Sequence, residues 1–432
     1  MTVSSSRAKA WAEIWSQLEA RGQFRMDLSL DRIERVLDNM GRVRPATALV
    51  QVCGTNGKGS TAGYLAALAK AHGLRVGLFL SPHLVSMRER VRVDGARLHR
   101  KDWMDLSKRV MAVRGSTELT YFEFVTALAV LAFERAAVDL AVMETGLGGT
   151  YDAVTAIAKA AGDLVLYTPI ALDHQEHLGP DVASIARDKA GAVSPGGIAL
   201  SGPQSSEAAG ALTETIGRAG GFLDWAGALP EALADAPKAA LGPHQRDNFA
   251  LAWTAWKRLC PRLHLVPSLE AGAKVLAETQ FTGRMQVVPG EPGRRPDVVL
   301  DGGHNPHGMA ALHRALDAEG LRPAAVVFAC LDDKDLDEIA PLALGMTDGP
   351  VFTPGLPGLS RARPAEELAA ALGPCARAAA NPAEALDAAM GVALDAGGPV
   401  LVCGSLYLLA ACYALHPSWM AEPPDFRLPP EP

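Results

Sequence analysis

The stretch Val50-Gln-Val-Cys-Gly-Thr-Asn-Gly-Lys-Gly-Ser-Thr61 constrains this chain more than any other. An apolar run from Ala48 to Val52, of strand type, enters a glycine-rich turn and leaves it as the first turn of a helix. Gly54, Gly57 and Gly59 surround Lys58, and the hydroxyls of Ser60 and Thr61 follow. Glycines let successive backbone N–H groups point inward, and a helix N-terminus adds partial positive charge, so the turn suits a polyphosphate. Lys58 can neutralise the outer phosphates, and a hydroxyl just beyond it can face a magnesium ion. Only Thr55 and Asn56 separate Gly54 from Gly57-Lys58, whereas an ordinary Walker A loop has four residues there. The rival reading is a plain glycine-rich strand-to-helix turn that happens to carry a lysine.

The 432 residues exceed one typical domain, so two or three are expected. Apolar residues at 49% are ample for real cores, and 21% charged residues argue against disorder. A net charge of −7 leaves no basic surplus for binding nucleic acid. Cys53, Cys260, Cys330, Cys375, Cys403 and Cys412 are scattered without a Cys-x-x-Cys pair, which suits buried thiols of a reducing compartment. Met1 to Arg7 leads into no apolar signal core, and no run of 18 apolar, uncharged residues occurs. A soluble cytoplasmic protein without membrane contact is expected.

Along the chain, Trp11, Ile14, Trp15 and Leu18 stand at helical spacing and predict a core-facing helix over 8–20. A short helix follows a Ser29 or Asp31 cap, and the helix after the phosphate loop stops at Gly73, where His72 is a helix-end residue. The strand 75–80 ends at Ser81, which a parallel sheet would place near the phosphate loop. Leu119-Thr-Tyr-Phe-Glu-Phe124 opens an alanine-rich helix to about Ala136, with Phe122 and Phe124 readable as ordinary core residues. Strand 138–144 delivers Glu144 to its carboxyl end beside Thr145-Gly-Leu-Gly-Gly149, a natural magnesium ligand next to bound phosphates. Strand 163–168 leads to a loop holding Asp173, His174, Glu176 and His177. The run 289–296 is a linker by composition, and strands at 324–329 and 398–403 with helices between them make a second α/β domain.

Taken as an ordered set, these stretches resemble the folylpolyglutamate synthase/dihydrofolate synthase family of the Mur ligase superfamily. The resemblance rests on Gly54-Thr-Asn-Gly-Lys-Gly-Ser60, Ser81-Pro-His-Leu84 with its continuation to Gly95, and Thr120-Tyr-Phe-Glu123. It continues through Leu172-Asp-His174, Asp188-Lys-Ala-Gly191, His244-Gln-Arg-Asp-Asn248, Gly283-Arg284, Asp301-Gly-Gly-His-Asn-Pro306, Leu331-Asp-Asp-Lys-Asp335 and Cys403-Gly-Ser-Leu-Tyr407. It covers about residues 27 to 410. The resemblance implies an α/β fold: an N-terminal P-loop, Mur-ligase-type ATPase domain over 1–288 and a smaller C-terminal Rossmann-like domain over 297–432.

It further implies that ATP is held by Gly54 to Thr61, Asn248 near adenine, Arg284 and Asp301, and that Ser60, Ser81, Glu144 and His174 serve Mg2+. Lys58, Lys189 and His304 would be catalytic, with Lys189 carbamylated. Phe122, Phe124, Asp152 and His304 would meet the substrates. The implied reaction is ATP-dependent addition of L-glutamate to a folate or pteroate type acid through an acyl phosphate, by a monomer. Departures from the family pattern are Thr150-Tyr-Asp-Ala-Val-Thr-Ala156 where Arg, then Asp-Ala-Thr-Asn-Val, is usual, Asp188 for Glu, and Gly303 for Ala. They leave room for a diverged amide ligase acting on a non-folate acid; a nucleotide-binding protein without ligase activity is the third reading.

Overall fold

β1 (Ala48–Cys53) is buried at every position, as a strand must be when other strands flank it and helices cover both its faces. The computed structural model describes residues 11–420 apart from 12, 19, 23–27, 42–44, 162–163 and 240. Two compact units share these residues. The first comprises the described residues up to Ala236 and Asp247–Val275; the second comprises Pro237–Arg246 and 276–420.

In the first unit the further strands are β2 (Val76–Phe79), β3 (Val91–Val93), β4 (Ala96–Arg97), β5 (Leu140–Glu144), β6 (Leu164–Tyr167), β7 (Ile198–Ser201) and β8 (Phe222–Trp225). They form one sheet in the order β4-β3-β2-β5-β1-β6-β7-β8. β3 pairs antiparallel with both β2 and β4, and every other pair is parallel. β5 and β6 flank β1 on opposite sides, with Val52 opposite Glu144 and Cys53 opposite Tyr167. This reversal of strand order opens a crevice at the carboxyl ends of the strands, where open α/β sheets bind ligands. One core, with Trp103, Phe79, Phe124 and Phe133, fills one face. A second, with Tyr167, Ile185 and Leu212, continues along that same face, because the register sets Phe79, Met143, Val165 and Tyr167 on one side of the sheet.

Local chemistry fixes the helices. Thr120 and Glu123 form a reciprocal capping box at the head of Tyr121–Ala136. Trp11, Ile14, Trp15 and Leu18 are all buried, as their spacing predicts; residues 8–10, 12 and 19 of that expected helix lie outside the described residues. The helix Asp31–Asn39 takes no side-chain cap: Leu30 is its N-cap, and Ser29 Oγ accepts from Asp31 N at 3.1 Å instead.

The second unit holds β9 (Gln286–Val288), β10 (Val298–Leu300), β11 (Ala325–Phe328), β12 (Val351–Pro354), β13 (Ala376–Ala379) and β14 (Val400–Cys403). Their order is β13-β12-β11-β14-β10-β9, with β9 alone antiparallel. Residues 289–296, read from composition as a linker, form the turn of the β9–β10 hairpin within this unit, because Val287 and Val288 pair with Val299 and Val298. Glu291 and Arg295 bridge across the turn. No described helix is long and apolar enough to cross a membrane.

Candidate active site

The glycine-rich loop leaves β1 and becomes the head of helix Lys58–Ala71, whose N-cap Gly57 has φ 89°. A side chain at Gly57 would strike the Asn248 carboxamide, so the positive φ and the close approach both demand glycine. Asn248, on helix Pro243–Leu259, is 5% exposed. Its Oδ1 lies 3.4 Å from the hydroxyl of Thr61, which is fully buried. The Thr55 hydroxyl bonds both the carbonyl and the N–H of Ala171 at 3.1 Å, tying the loop to the segment after β6. Lys58 Nζ donates to Thr55 O at 3.0 Å, which folds the lysine back over its own loop. Ser60 is buried in the first helical turn.

Glu144 ends β5 and is 5% exposed. Its Oε2 accepts from Ser81 N at 2.8 Å, and a methyl on Gly59 would lie 3.5 Å from the same oxygen. The parallel register therefore brings the carboxylate, the phosphate loop and the end of β2 together. His174 is the left-handed N-cap (φ 54°) of the short helix Gln175–Leu178. Its half-exposed ring has Nε2 3.9 Å from Asp173 Oδ1. Among the described residues no group of three or more His, Cys, Asp or Glu gathers as a metal site. A magnesium ion bound mainly by phosphate oxygens needs only one or two protein ligands, which Glu144 and His174 can supply.

Lys189 lies in the last turn of helix Val182–Ala190 and is 5% exposed. Burial, and then the charge of Lys58, push its amine from 10.5 down to about 8. No carboxylate makes an ion pair with it among the described residues. The preceding Asp188 accepts from Gly149 N at 2.8 Å, through Oδ1. Asp152 is buried, and its carboxylate accepts from Gly146 N at 2.9 Å, Leu147 N at 3.1 Å and Val154 N at 2.9 Å. Desolvation lifts it to about 6 against those bonds. It shapes the loop that leads into helix Ala153–Ala161. Phe122 is half-buried against Gly146 of that loop. Phe124 is wholly buried, under the Arg21 guanidinium at 4.9 Å.

In the second unit β10 runs into Asp301, which accepts from Met285 N at 2.8 Å and Gly303 N at 2.7 Å. His304 Nδ1 is 2.7 Å from Gly302 O. Asn305 caps helix Pro306–Ala318 through Gly308 N. Arg284 Nη1 reaches Gly283 O at 3.3 Å and packs over Gly302. His244 and His83 stand in stretches that carry the family resemblance, but no role was assigned to either. The buried Nδ1 of His244 has no hydrogen-bond partner, and burial lowers its affinity for a proton despite nearby Asp301. His83 accepts from Arg90 Nε at 2.9 Å and is held neutral by burial, its pKa near 3. The burial of both shows only in three dimensions.

Residues 283–406 match the family model described as Mur ligase, glutamate ligase domain. Over 348 residues the chain is 33% identical to the dihydrofolate synthase/folylpolyglutamate synthase of Escherichia coli strain K12, covering 77% of this chain and 78% of that one. It is also 33% identical over 345 residues to a probable bifunctional folylpolyglutamate synthase/dihydropteroate synthase of Haloferax volcanii. That match covers 73% of this chain but spans only 40% of the Haloferax protein's length. Among solved structures, Mycobacterium tuberculosis folylpolyglutamate synthase complexed with ADP superposes with a TM-score of 0.84 at 27% identity, over 97% of this chain and all of that one. The bifunctional folylpolyglutamate synthase/dihydrofolate synthase of Yersinia pestis, complexed with AMPPNP and Mn ion, gives 0.79 at 29% identity, over 94% and 97%.

Proposed function

This chain belongs to the folylpolyglutamate synthase/dihydrofolate synthase family, and we propose that it joins the amine of L-glutamate to a folate-type carboxylate while cleaving ATP to ADP and phosphate. Both acceptors of the family fit the reading: a folate that gains a further glutamate, and dihydropteroate that becomes dihydrofolate. One observation carries it. Lys58 heads a helix at the carboxyl end of β1, and Glu144 stands next to that helix on the adjacent strand. Such an arrangement binds a nucleotide's phosphates and the charge that develops during phosphoryl transfer.

In this reading the loop N–H groups from Gly54 to Gly59 cradle the phosphates, and Lys58 leaves Thr55 O for the γ-phosphate. Glu144 and His174, with Ser60 and Ser81 beside them, would hold Mg2+, which neutralises phosphate charge when bound. Asn248 is assigned to the adenine, Arg284 and Asp301 to the nucleotide, and His304 to the incoming glutamate. The acceptor carboxylate attacks the γ-phosphorus, ADP leaves, and an acyl phosphate results. The glutamate amine then attacks the acyl carbon, loses a proton and expels inorganic phosphate. Holding the reactants in line supplies most of the rate gain. Phe122 offers a half-buried ring to a flat acceptor.

Lys189 is assigned a carbamate. With its pKa near 8, about a quarter of the amine is neutral at pH 7.5, against roughly a thousandth for an ordinary lysine. The neutral nitrogen attacks the carbon of CO2, an N–C bond forms, and one proton leaves to solvent. A buried cation becomes an anion with two oxygen acceptors. The protein is proposed to act as a cytoplasmic monomer.

Isotope transfer tests the central step. An acceptor labelled with 18O in its carboxylate should yield inorganic phosphate carrying one 18O per product formed. Phosphate without label would refute the acyl phosphate.

A further inference from the structure

The three departures around the Gly148-Gly149 turn are not scattered: Thr150, Thr155 and Asp188 belong to one hydrogen-bonded set. Asp188 Oδ1 accepts from Gly149 N at 2.8 Å. The main-chain carbonyl of Asp188 accepts twice from Thr150, from its hydroxyl at 2.8 Å and its N–H at 3.1 Å. From the other side, the Thr155 hydroxyl donates to Gly149 O at 2.6 Å and itself accepts from Gln51 Nε2 at 2.8 Å, within the buried strand β1. Tyr167 OH donates to Lys189 O at 3.0 Å. The turn and the last helical turn before Gly191 are so close that a Cβ on Gly149 would lie 2.7 Å from Lys189 Cα. A Cβ on Gly191 would lie 2.9 Å from that of Thr150.

We propose that Thr150 and Asp188 are positioning residues for Lys189. Together they clamp the Gly-Gly turn onto the end of the lysine's helix and so fix where the Lys189 nitrogen sits relative to the phosphate loop. The inference rests on the reading of Lys189 as a functional group of the ligase. Position 150 then serves the framework: a threonine whose hydroxyl is engaged with Asp188 O does not reach toward a ligand as a long basic side chain would. The shorter acid at 188 follows from the same arrangement, because its carboxylate closes onto Gly149 N from the adjoining turn. Lys189, which makes no ion pair among the described residues, is held through its backbone: at its own carbonyl by Tyr167, and at the preceding residue by Thr150 and Gly149.

Thr150→Val deletes the hydroxyl and keeps the branched shape; Thr150→Ser keeps the hydroxyl. One lost hydrogen bond at a positioned group is worth roughly a five- to tenfold change. Thr150→Val should lower kcat by about that factor with KM for ATP within about twofold, while Thr150→Ser stays within about twofold of wild type in both. In 13C-bicarbonate the carbamate carbon resonance, identified by its loss in Lys189→Ala, should weaken in Thr150→Val and return in Thr150→Ser. Wild-type kcat in Thr150→Val, or equal impairment of both variants, would overturn the proposal. So would a Thr150→Val that is unfolded by circular dichroism beside a folded Thr150→Ser, since the bond would then serve the fold and not the lysine. A wild-type enzyme that turns over with no carbamate resonance would sink the carbamate alone, and the kcat comparison would still decide the clamp.

Discussion

Replacing Lys189 by Met should separate stability from activity. The amine falls from 10.5 in the open chain to about 8 in the fold, and desolvation is the largest cause. Well below pH 8 both states are protonated, and the fold bears the whole cost of a buried cation, about 3 kcal/mol for a shift of this size. As pH rises from 8 to 10.5 the folded lysine is neutral while the unfolded one still binds its proton. Wild-type stability therefore climbs over that window. Met has a similar volume and no charge, and imperfect repacking costs under about 1.5 kcal/mol. In CO2-free buffer at pH 7, Lys189→Met should thus be more stable by about 1.5–3 kcal/mol, roughly 3–10 °C in the melting of the first unit. The advantage should shrink to under about 1 kcal/mol at pH 10. Ligase turnover should be almost abolished at every pH. Thermal melts of both proteins across pH 7–10, without nucleotide, measure this. A variant that melts below wild type at pH 7, with wild-type stability flat between pH 8 and 10, would refute the burial argument.

Further outcomes follow from the same geometry. Lys58→Ala should keep its melting temperature within about 2 °C, since the side chain folds over a loop and not into the core; its turnover should fall by at least about a hundredfold, and unchanged turnover would remove Lys58 from the site. Glu144→Gln and His174→Ala should each raise the Mg2+ concentration needed for half-maximal rate by about tenfold or more, and an unmoved metal titration would dismiss them. Gly57→Ala should lose roughly 1–2 kcal/mol of stability through its φ of 89° and should weaken ATP binding by displacing Asn248, readable by calorimetry. Lys189→Ala should regain part of its rate with added acetate or formate; no gain with either acid would argue against a carbamate.

The phosphate loop, its strand and its helix were legible because glycine spacing and a buried apolar run are local signals. Glu144 was legible for the same reason, at the end of an apolar strand beside glycines. The capping box of Thr120 and Glu123 could likewise be read in order. Other parts lay beyond local patterns. β7 and β8 fall in an Ala-, Gly- and Ser-rich region, and β8 exposes Phe222 and Trp225, so neither shows the profile of a buried strand. Residues 289–296 have the composition of a linker, and only the pairing of β9 with β10 reveals a hairpin turn. Asp152 could be named from its motif, but not the three N–H groups that engage its carboxylate. Thr150 stood out only as a missing basic residue, because its partner carbonyl at Asp188 is 38 positions away.

The most direct test is an acceptor-dependent ADP-release assay with L-glutamate, run across pteroates, folates and unrelated carboxylic acids, with glutamate incorporation followed in parallel. ADP should accumulate over many turnovers only when ATP, glutamate and a pteroate- or folate-type acid are present together, one ADP for each glutamate joined in amide linkage. ADP release with an unrelated acid and none with any folate or pteroate, or ADP formed with no glutamate incorporated, would contradict it.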